Sequence, residues 1–367
     1  MPENVNIMIV DDSFIIRKIL EKILKEQKEF NIIAQARDGN DVLRILDNSE
    51  IAESVDVIIL DLEMPGMDGM TALPQIIKKA PHVRVIIAST LSQKNAQVSL
   101  EALEKGAADY LPKPSSAEAS NTDTLNNFSA ELVLKVKSLG LAAQRLKLRK
   151  NTGVAQKTPS QTPAAIEDYS LHEPIRRPKA IAIGSSTGGP DALKEVLGNL
   201  NMTRLLNIPM FITQHMPAHF TKLLATNLST KLNINLLEAK DGDIVKGGNI
   251  YLAPGDFHME IMNIDNALKI SLNQNPPENF CRPAVDVMLR SLAENYGRDL
   301  LTVILTGMGS DGAKGCEKVR ENHGQIIAQD KETSTVWGMP AAAAKTRLCS
   351  QILPLNQIAP KIMGAIL

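Results

Sequence analysis

Cysteine is scarce in this sequence, and none of it is paired by spacing. Cys281, Cys316 and Cys349 are scattered, odd in number and form no CxxC. That excludes a disulfide scaffold and points to reduced, cytosolic thiols. Net charge is nearly absent too. Forty Lys and Arg against 41 Asp and Glu leave a formal −1, so no global pull toward nucleic acid or an anionic membrane surface follows. No apolar run is long enough to span a bilayer. The opening residues, MPENVNIMIVDDS, lack a basic region followed by a long apolar stretch, so neither a signal peptide nor membrane insertion is expected. The expectation is a cytoplasmic protein with no nucleic-acid partner. The six histidines show no metal-ligand spacing, which speaks against zinc.

What is present is ordinary for a globular protein. With 367 residues, 44% hydrophobic and 22% charged, the chain exceeds what one core comfortably holds, so two domains and a linker are expected. The first segment alternates short apolar strands with amphipathic helices. Strands are expected at Val5–Val10, Ile32–Ala36, Val55–Leu60, Val83–Ala88 and Asp109–Leu111. Helices fall at Ile15–Lys25, Asn40–Leu46, Gly69–Lys79, Ala96–Lys105 and within Leu125–Lys150, the last with Leu132, Val136, Leu139 and Ala143 on one face. Ser115–Thr124 is small and polar, and Asn151–Pro178 reads as a flexible linker. A second αβ pattern begins at Lys179. Its strands are expected at Ala180–Gly184, Met210–Gln214, Gly248–Ala253, Leu300–Thr306 and Gln325–Ala328, with a hairpin strand near Ile261–Leu272. The division is therefore 1–124, then 125–178 as helix and linker, then 179–367. The fold class is α/β, with two doubly wound, mostly parallel sheets.

Ligands of such sheets bind outside the carboxyl ends of the strands. In the first half those ends carry Asp11 and Asp12, then Asp61, then Ser89, then Lys113. Clustered carboxylates suit a hard cation such as Mg²⁺. A hydroxyl and a lysine nearby could receive phosphoryl oxygens. Any one of the acidic residues could instead be a helix cap; four strand ends of the right type argue against that. The motifs VDDS, DLEMPGMDG, Ser89 and YLPKP resemble the receiver domain of two-component response regulators, from Val5 to about Lys113. The resemblance implies that Asp61 accepts phosphate from a sensor histidine kinase. It implies that Asp11, Asp12 and Asp61, with a backbone carbonyl near Glu63, hold Mg²⁺. Ser89 and Tyr110 occupy the family's switch positions.

The strand ends of the second half carry different chemistry. Ala180–Gly184 runs into SSTGGPDALKE, Met210–Gln214 ends at His215, and Leu300–Thr306 runs into GMGSDGA with Asp311. A serine, a histidine and an aspartate on one sheet rim are what serine attack requires. The base takes the proton, and the acid fixes the base's tautomer. Gly188, Gly189, Gly307 and Gly309 would allow close approach to backbone N–H groups of an oxyanion hole. Each part has a plainer reading. GSSTGG could be a phosphate-binding turn, although it matches neither GxGxxG nor a P-loop. His215 could be a surface histidine, with His219, His258 and His323 as rivals, and Asp311 could be a turn residue before Gly312.

IGSSTGGPDAL, ITQHMPAHFT, YLAPGDFHM, RPAVDVML, ILTGMGSDGA and STVWGMP occur in that order. Together they resemble the catalytic domain of the chemotaxis methylesterase family, CheB, a Rossmann-like domain that follows a receiver. The resemblance implies that Ser186 is the nucleophile, His215 the general base and Asp311 the orienting acid. Thr187 would line the site, and the N–H groups of His215 and Met308 would be the oxyanion donors. Only register selects Ser186 over Ser185, and the role of Ser310 stays open. Arg282, Asp286 and Trp337 lie in the same motifs, as site residues or as packed, salt-bridged neighbours. The implied activity is hydrolysis of glutamate methyl esters and deamidation of glutamines on methyl-accepting chemoreceptors, with no cofactor for hydrolysis. Asp61 phosphorylation would relieve a block of the cleft, and the linker would let the domains part. A phosphorylation-gated, non-catalytic binding module is the alternative from another class. A nucleotide-binding enzyme built on GSSTGG is a third, and a DNA-binding regulator fits a long α/β second half poorly.

Overall fold

The computed structural model describes residues 4–90, 93–113, 122–151 and 169–366. Residues 114–121 and 152–168, which hold most of the two polar stretches, lie outside them. The chain divides into two compact units, Met1–Ala164 and Ala165–Leu367.

The first unit is a five-stranded parallel sheet in the order β2-β1-β3-β4-β5. The strands are β1 Val5–Val10, β2 Phe30–Ala36, β3 Val57–Asp61, β4 Arg84–Thr90 and β5 Asp109–Lys113. β1 and β3 pair in register from Ile7 with Val57 to Val10 with Leu60, which sets Asp11 beside Asp61. The helices are α1 Phe14–Lys25, α2 Gly39–Ile45, α3 Ser49–Ser54, α4 Gly69–Lys79, α5 Gln93–Glu104 and α6 Thr122–Asn151. Their starts are chemically marked. The side chains of Ser13, Asp38, Asn48 and Asp68 accept backbone N–H groups of the first turns of α1 to α4. α3 is too short to show a period and was not expected. On α6, Leu132, Val136, Leu139 and Ala143 are fully buried, as their spacing foretold. α6 also buries a charge: Lys135 Nζ lies 3.1 Å from Asp109 and donates to the Tyr110 carbonyl at 2.6 Å.

The second unit is a seven-stranded parallel sheet in the order β14-β13-β12-β6-β7-β9-β8. Its strands are β6 Ala180–Ser185, β7 Met210–Gln214, β8 Leu236–Glu238, β9 Ile250–Leu252, β12 Leu300–Ile304, β13 Gln325–Gln329 and β14 Gln351–Leu353. β10 His258–Ile264 and β11 Ala267–Asn273 form the separate antiparallel hairpin. The central strands β6, β7, β12 and β13 are buried at every residue, which is why they read as unbroken apolar runs. The helices are α7 Gly189–Gly198, α8 Phe220–Leu232, α9 Val285–Tyr296, α10 Ala313–Glu321, α11 Met339–Lys345 and α12 Leu355–Ile366. The edge strands β8 and β14 were not expected. At three residues each, the strands are too short to stand out from the loops around them.

The end of the expected linker is not loose. Leu171 and Glu173 donate backbone N–H groups to Cys349 and Ser350. Glu173 takes two bonds from Arg320, at 2.9 and 3.0 Å, and Gln325 receives the Arg176 N–H at 2.7 Å. The expectation of a flexible linker through Pro178 is thus corrected from Tyr169 onward. Polar composition hid a run whose donors and acceptors are spent on the sheet edge.

Gly140 of α6 faces β1 so closely that a Cβ there would lie 2.3 Å from a Val5 methyl. Gly140→Val should therefore destabilise the first unit by about 1–3 kcal/mol through overpacking, read as a lower midpoint of its urea unfolding transition. An unchanged midpoint would refute this packing.

Candidate active site

In the second unit β6 lies between β12 and β7. The chain therefore leaves β6 at the point where connections diverge to the two sides of the sheet, the usual place for a crevice. Ser186 follows β6, His215 follows β7, and Asp311 lies in the loop after β12. Hydrogen bonds continue the ladders past the strand ends: His215 N–H donates to the Ser185 carbonyl at 3.1 Å, and Ser186 N–H to that of Thr306 at 3.0 Å. The three candidate residues share one rim of one sheet.

The two adjacent serines are different environments. Ser185 is fully buried, and its hydroxyl donates to Gln214 Oε1 at 2.6 Å. The Gln214 amide nitrogen in turn holds the Ser186 carbonyl at 2.9 Å. Ser186 is partly exposed, and among the described residues its hydroxyl has no hydrogen-bond partner. The Gly307 loop is pressed on it: a Cβ at Gly307 would sit 2.8 Å from Ser186 Cβ. Glycine is needed there for close approach rather than for an unusual φ.

His215 Nε2 donates to Asp311 Oδ2 at 2.7 Å. In the neutral ring that fixes the tautomer and leaves Nδ1 as the acceptor nitrogen. Cys281 occupies it, its Sγ at 3.5 Å. Asp311, 2% exposed, also receives the N–H groups of Val285 at 2.6 Å, Asp286 at 3.1 Å and Gly312 at 3.0 Å, and the Asn279 amide at 2.8 Å. Two of these donors open α9, so a helix N-terminus faces the carboxylate. Burial alone would raise the Asp311 pKa; the hydrogen bond from His215 and the backbone donors hold it below the ordinary value. For His215, burial works against the imidazolium, but Cys281 and then Asp311 raise its pKa above the usual 6.5. Asp286 is buried beside Asp311. Desolvation and that neighbouring charge raise its pKa, while the Gly315 N–H and Asn279 hold it in place.

Other expectations divide. The His215 N–H, expected to be an oxyanion donor, is already spent on Ser185, so that reading is corrected: extension of the strand ladder consumed it. The Met308 N–H, in the loop against Ser186, has no acceptor among the described residues. Thr187 is buried, its carbonyl receiving the Thr306 hydroxyl at 3.0 Å. Arg282 is bonded to Asp256 at 2.5 Å and to the carbonyls of Gln274 and Asn275, and the Trp337 indole to the Gln329 carbonyl at 3.3 Å. His258 is a packing residue, receiving the Ala284 N–H at 3.2 Å. Gln214, Asn279 and Cys281 were missed. Asn279 and Cys281 immediately precede the RPAVDVML motif, the one signal that could have drawn notice to them.

In the first unit, one carboxylate oxygen from each of Asp11, Asp12 and Asp61 lies within 4.8 Å of the others. Lys113 Nζ bridges Asp11 at 2.6 Å and Asp61 at 2.9 Å. Burial raises the Asp61 pKa against the pull of Lys113. Oxygen donors of this kind fit Mg²⁺. Ser89 lines a cavity of about 380 Å³ with Glu63, Met64 and Asn95. Tyr110 faces elsewhere, buried with Lys135 Nζ 5.0 Å from its ring centroid.

A model of the response regulator receiver domain matches residues 7–122, and one of the CheB methylesterase matches residues 181–362. A protein-glutamate methylesterase/protein-glutamine glutaminase of Rhodospirillum centenum is 46% identical over 374 residues, covering 97% of this chain and 92% of that protein. The chain belongs to the CheB methylesterase family. A relative of the same name from Azospirillum brasilense is also 46% identical, over 98% of this chain and 92% of its own. The solved catalytic domain of Thermotoga maritima CheB methylesterase aligns with a TM-score of 0.49 at 41% identity, covering 51% of this chain and 98% of that one. Among the described residues, no helix of this CheB-family chain is long and apolar enough to cross a membrane.

The raised His215 pKa has a measurable sign. Its imidazole should keep its proton to higher pH than a free histidine, so hydrolysis, which needs Nδ1 deprotonated, should rise with pH through the same range, and the stability gained from the Asp311 pair should be complete below pH 6.5 and lost as pH rises through the raised value. An NMR titration of the ring should give a midpoint above 6.5; one at or below 6.5 would contradict the assignment.

Proposed function

We propose that Ser186 is the nucleophile, His215 its general base and Asp311 the orienting acid. In this reading the enzyme hydrolyses glutamate γ-methyl esters, and deamidates glutamine side chains, on chemoreceptors in the cytoplasm. The observation that carries it is the half-buried 2.7 Å bond from His215 Nε2 to Asp311, beside a strand end where the Ser186 hydroxyl, unlike that of Ser185, has no partner among the described residues. Nδ1 is then the nitrogen that takes the Ser186 proton as the hydroxyl attacks the γ-carbonyl. The same nitrogen returns the proton to departing methanol, or to ammonia from glutamine. Water repeats the sequence on the acyl-enzyme, releasing glutamate. Asp311 stays ionised and steadies the imidazolium. The Met308 N–H, in the loop against Ser186, serves in this reading as the oxyanion donor, a role worth about 3–4 kcal/mol of barrier, and Thr187 walls the site.

Control falls to the first unit. Asp61 accepts phosphate from a sensor histidine kinase, with Asp11, Asp12 and Asp61 as the residues that would hold Mg²⁺. The cation, when bound, offsets the charge of the phosphoryl group. Lys113 and the Ser89 hydroxyl are placed to receive phosphoryl oxygens, and about −1.5 to −2 charges added at that strand end bias a switch involving Ser89 and Tyr110. A tenfold activation needs only about 1.4 kcal/mol of differential stabilisation.

Ser186→Ala should lower methanol release from methylated receptor fragments by about 10⁶-fold, whereas Ser185→Ala, which loses one buried hydrogen bond, should stay within about tenfold of the parent. The reverse ranking would shift the nucleophile by one residue. Asp61→Asn should abolish stimulation by a small phosphodonor and keep basal hydrolysis; stimulation that persists in this variant rules the switch out.

A further inference from the structure

His215 has one acceptor nitrogen and two claimants for it. Nε2 is committed to Asp311, so Nδ1 must serve the Ser186 hydroxyl, yet the group that stands against it here is the Cys281 thiol, at 3.5 Å, which donates to it whenever the ring is neutral. Thiol, imidazole and carboxylate form a continuous relay from Cys281 through His215 to Asp311. That is the arrangement which activates a cysteine for attack. The other two thiols lack it: Cys316 and Cys349 are fully buried, while Cys281 is partly exposed. Asn279 and Phe280, just before Cys281, both have positive φ, and Phe280 is fully exposed. The thiol is thus held against the base by a turn that solvent reaches.

We propose that Cys281 is a peroxide-reactive modification site, and that its oxidation to a sulfenic acid silences the hydrolytic site by occupying His215 Nδ1. The step balances without other reagents. The sulfur attacks one oxygen of hydrogen peroxide, an S–O bond forms and the O–O bond breaks. The thiol proton passes through Nδ1 to the departing oxygen, and water leaves. Sulfur loses two electrons and the peroxide gains them. The bulkier S–OH then donates to Nδ1 more strongly than S–H does, and stands where the Ser186 proton must go. Thiol reactivity rests on the relay alone; loss of hydrolysis rests on the function proposed above.

The full-length protein, reduced and then treated with hydrogen peroxide, tests both arms separately. Trapping with dimedone and peptide mass analysis should find the adduct on Cys281, with Cys316 and Cys349 unmodified. Methanol release should fall at least tenfold and recover on adding dithiothreitol. Cys281→Ser, compared before and after peroxide, should keep its own rate within twofold. His215→Ala should slow the trapping at Cys281 at least tenfold, and Asp311→Asn should slow it too if the histidine variant fails to fold. Absence of a Cys281 adduct, or equal inactivation of Cys281→Ser and the parent, overturns the proposal. A protein that forms the adduct but never releases methanol would refute the esterase reading and leave the thiol relay standing.

Discussion

One hydrogen bond to a buried carboxylate organises the second unit: His215 Nε2 to Asp311. A carboxylate removed from water must recover its solvation from the protein or take up a proton. Asp311 recovers it from three backbone N–H groups, an asparagine amide and the imidazole. The donors come from several turns and one helix start, so one charge ties the β12 loop, the beginning of α9 and the 279–281 turn together. Removing a partner from such a group costs several kcal/mol, because the remaining charge is left buried. The position of the base is therefore a by-product of satisfying the acid, and the fold around the site is as rigid as that requirement.

Both units apply the same topological rule to different chemistry. In the first, β1 and β3 adjoin and bring three carboxylates within 4.8 Å. In the second, β6 is flanked by β7 and β12 and brings together an alcohol, an imidazole and a carboxylate. Parallel strands deliver all their following loops to one rim, so residues far apart in sequence converge without special pleading. What differs is the compensation. The carboxylate cluster leaves its charge open to a cation, with Lys113 covering only part of it. The hydrolytic rim closes its charge internally.

Most of this was legible because buried parallel strands read as continuous apolar runs, and whatever follows each run lands on the functional rim. That logic pointed to Asp11, Asp61, the Ser185–Ser186 pair, His215 and Asp311. It could not separate Ser185 from Ser186, since the difference is which hydroxyl meets Gln214. It missed Asn279 and Cys281 because their contacts, 32 and 66 residues away in sequence, follow no period. The resemblance offered the His215 N–H as an oxyanion donor, and a free donor and one spent on a neighbouring strand look alike in sequence. The three-residue edge strands and the bound stretch after Tyr169 were hidden for a related reason: backbone hydrogen bonds, which hold them, leave no mark on composition.

The clasp of Glu173 on Arg320 and of Arg176 on Gln325 has a mechanical corollary. Whatever tugs on the connecting segment is delivered to β13 and the helix before it, with β12 standing between that anchor and β6. The strand that leads to Ser186 is thereby cushioned from its own tether, much as a moored hull is spared by fastening its line at the bow rather than amidships.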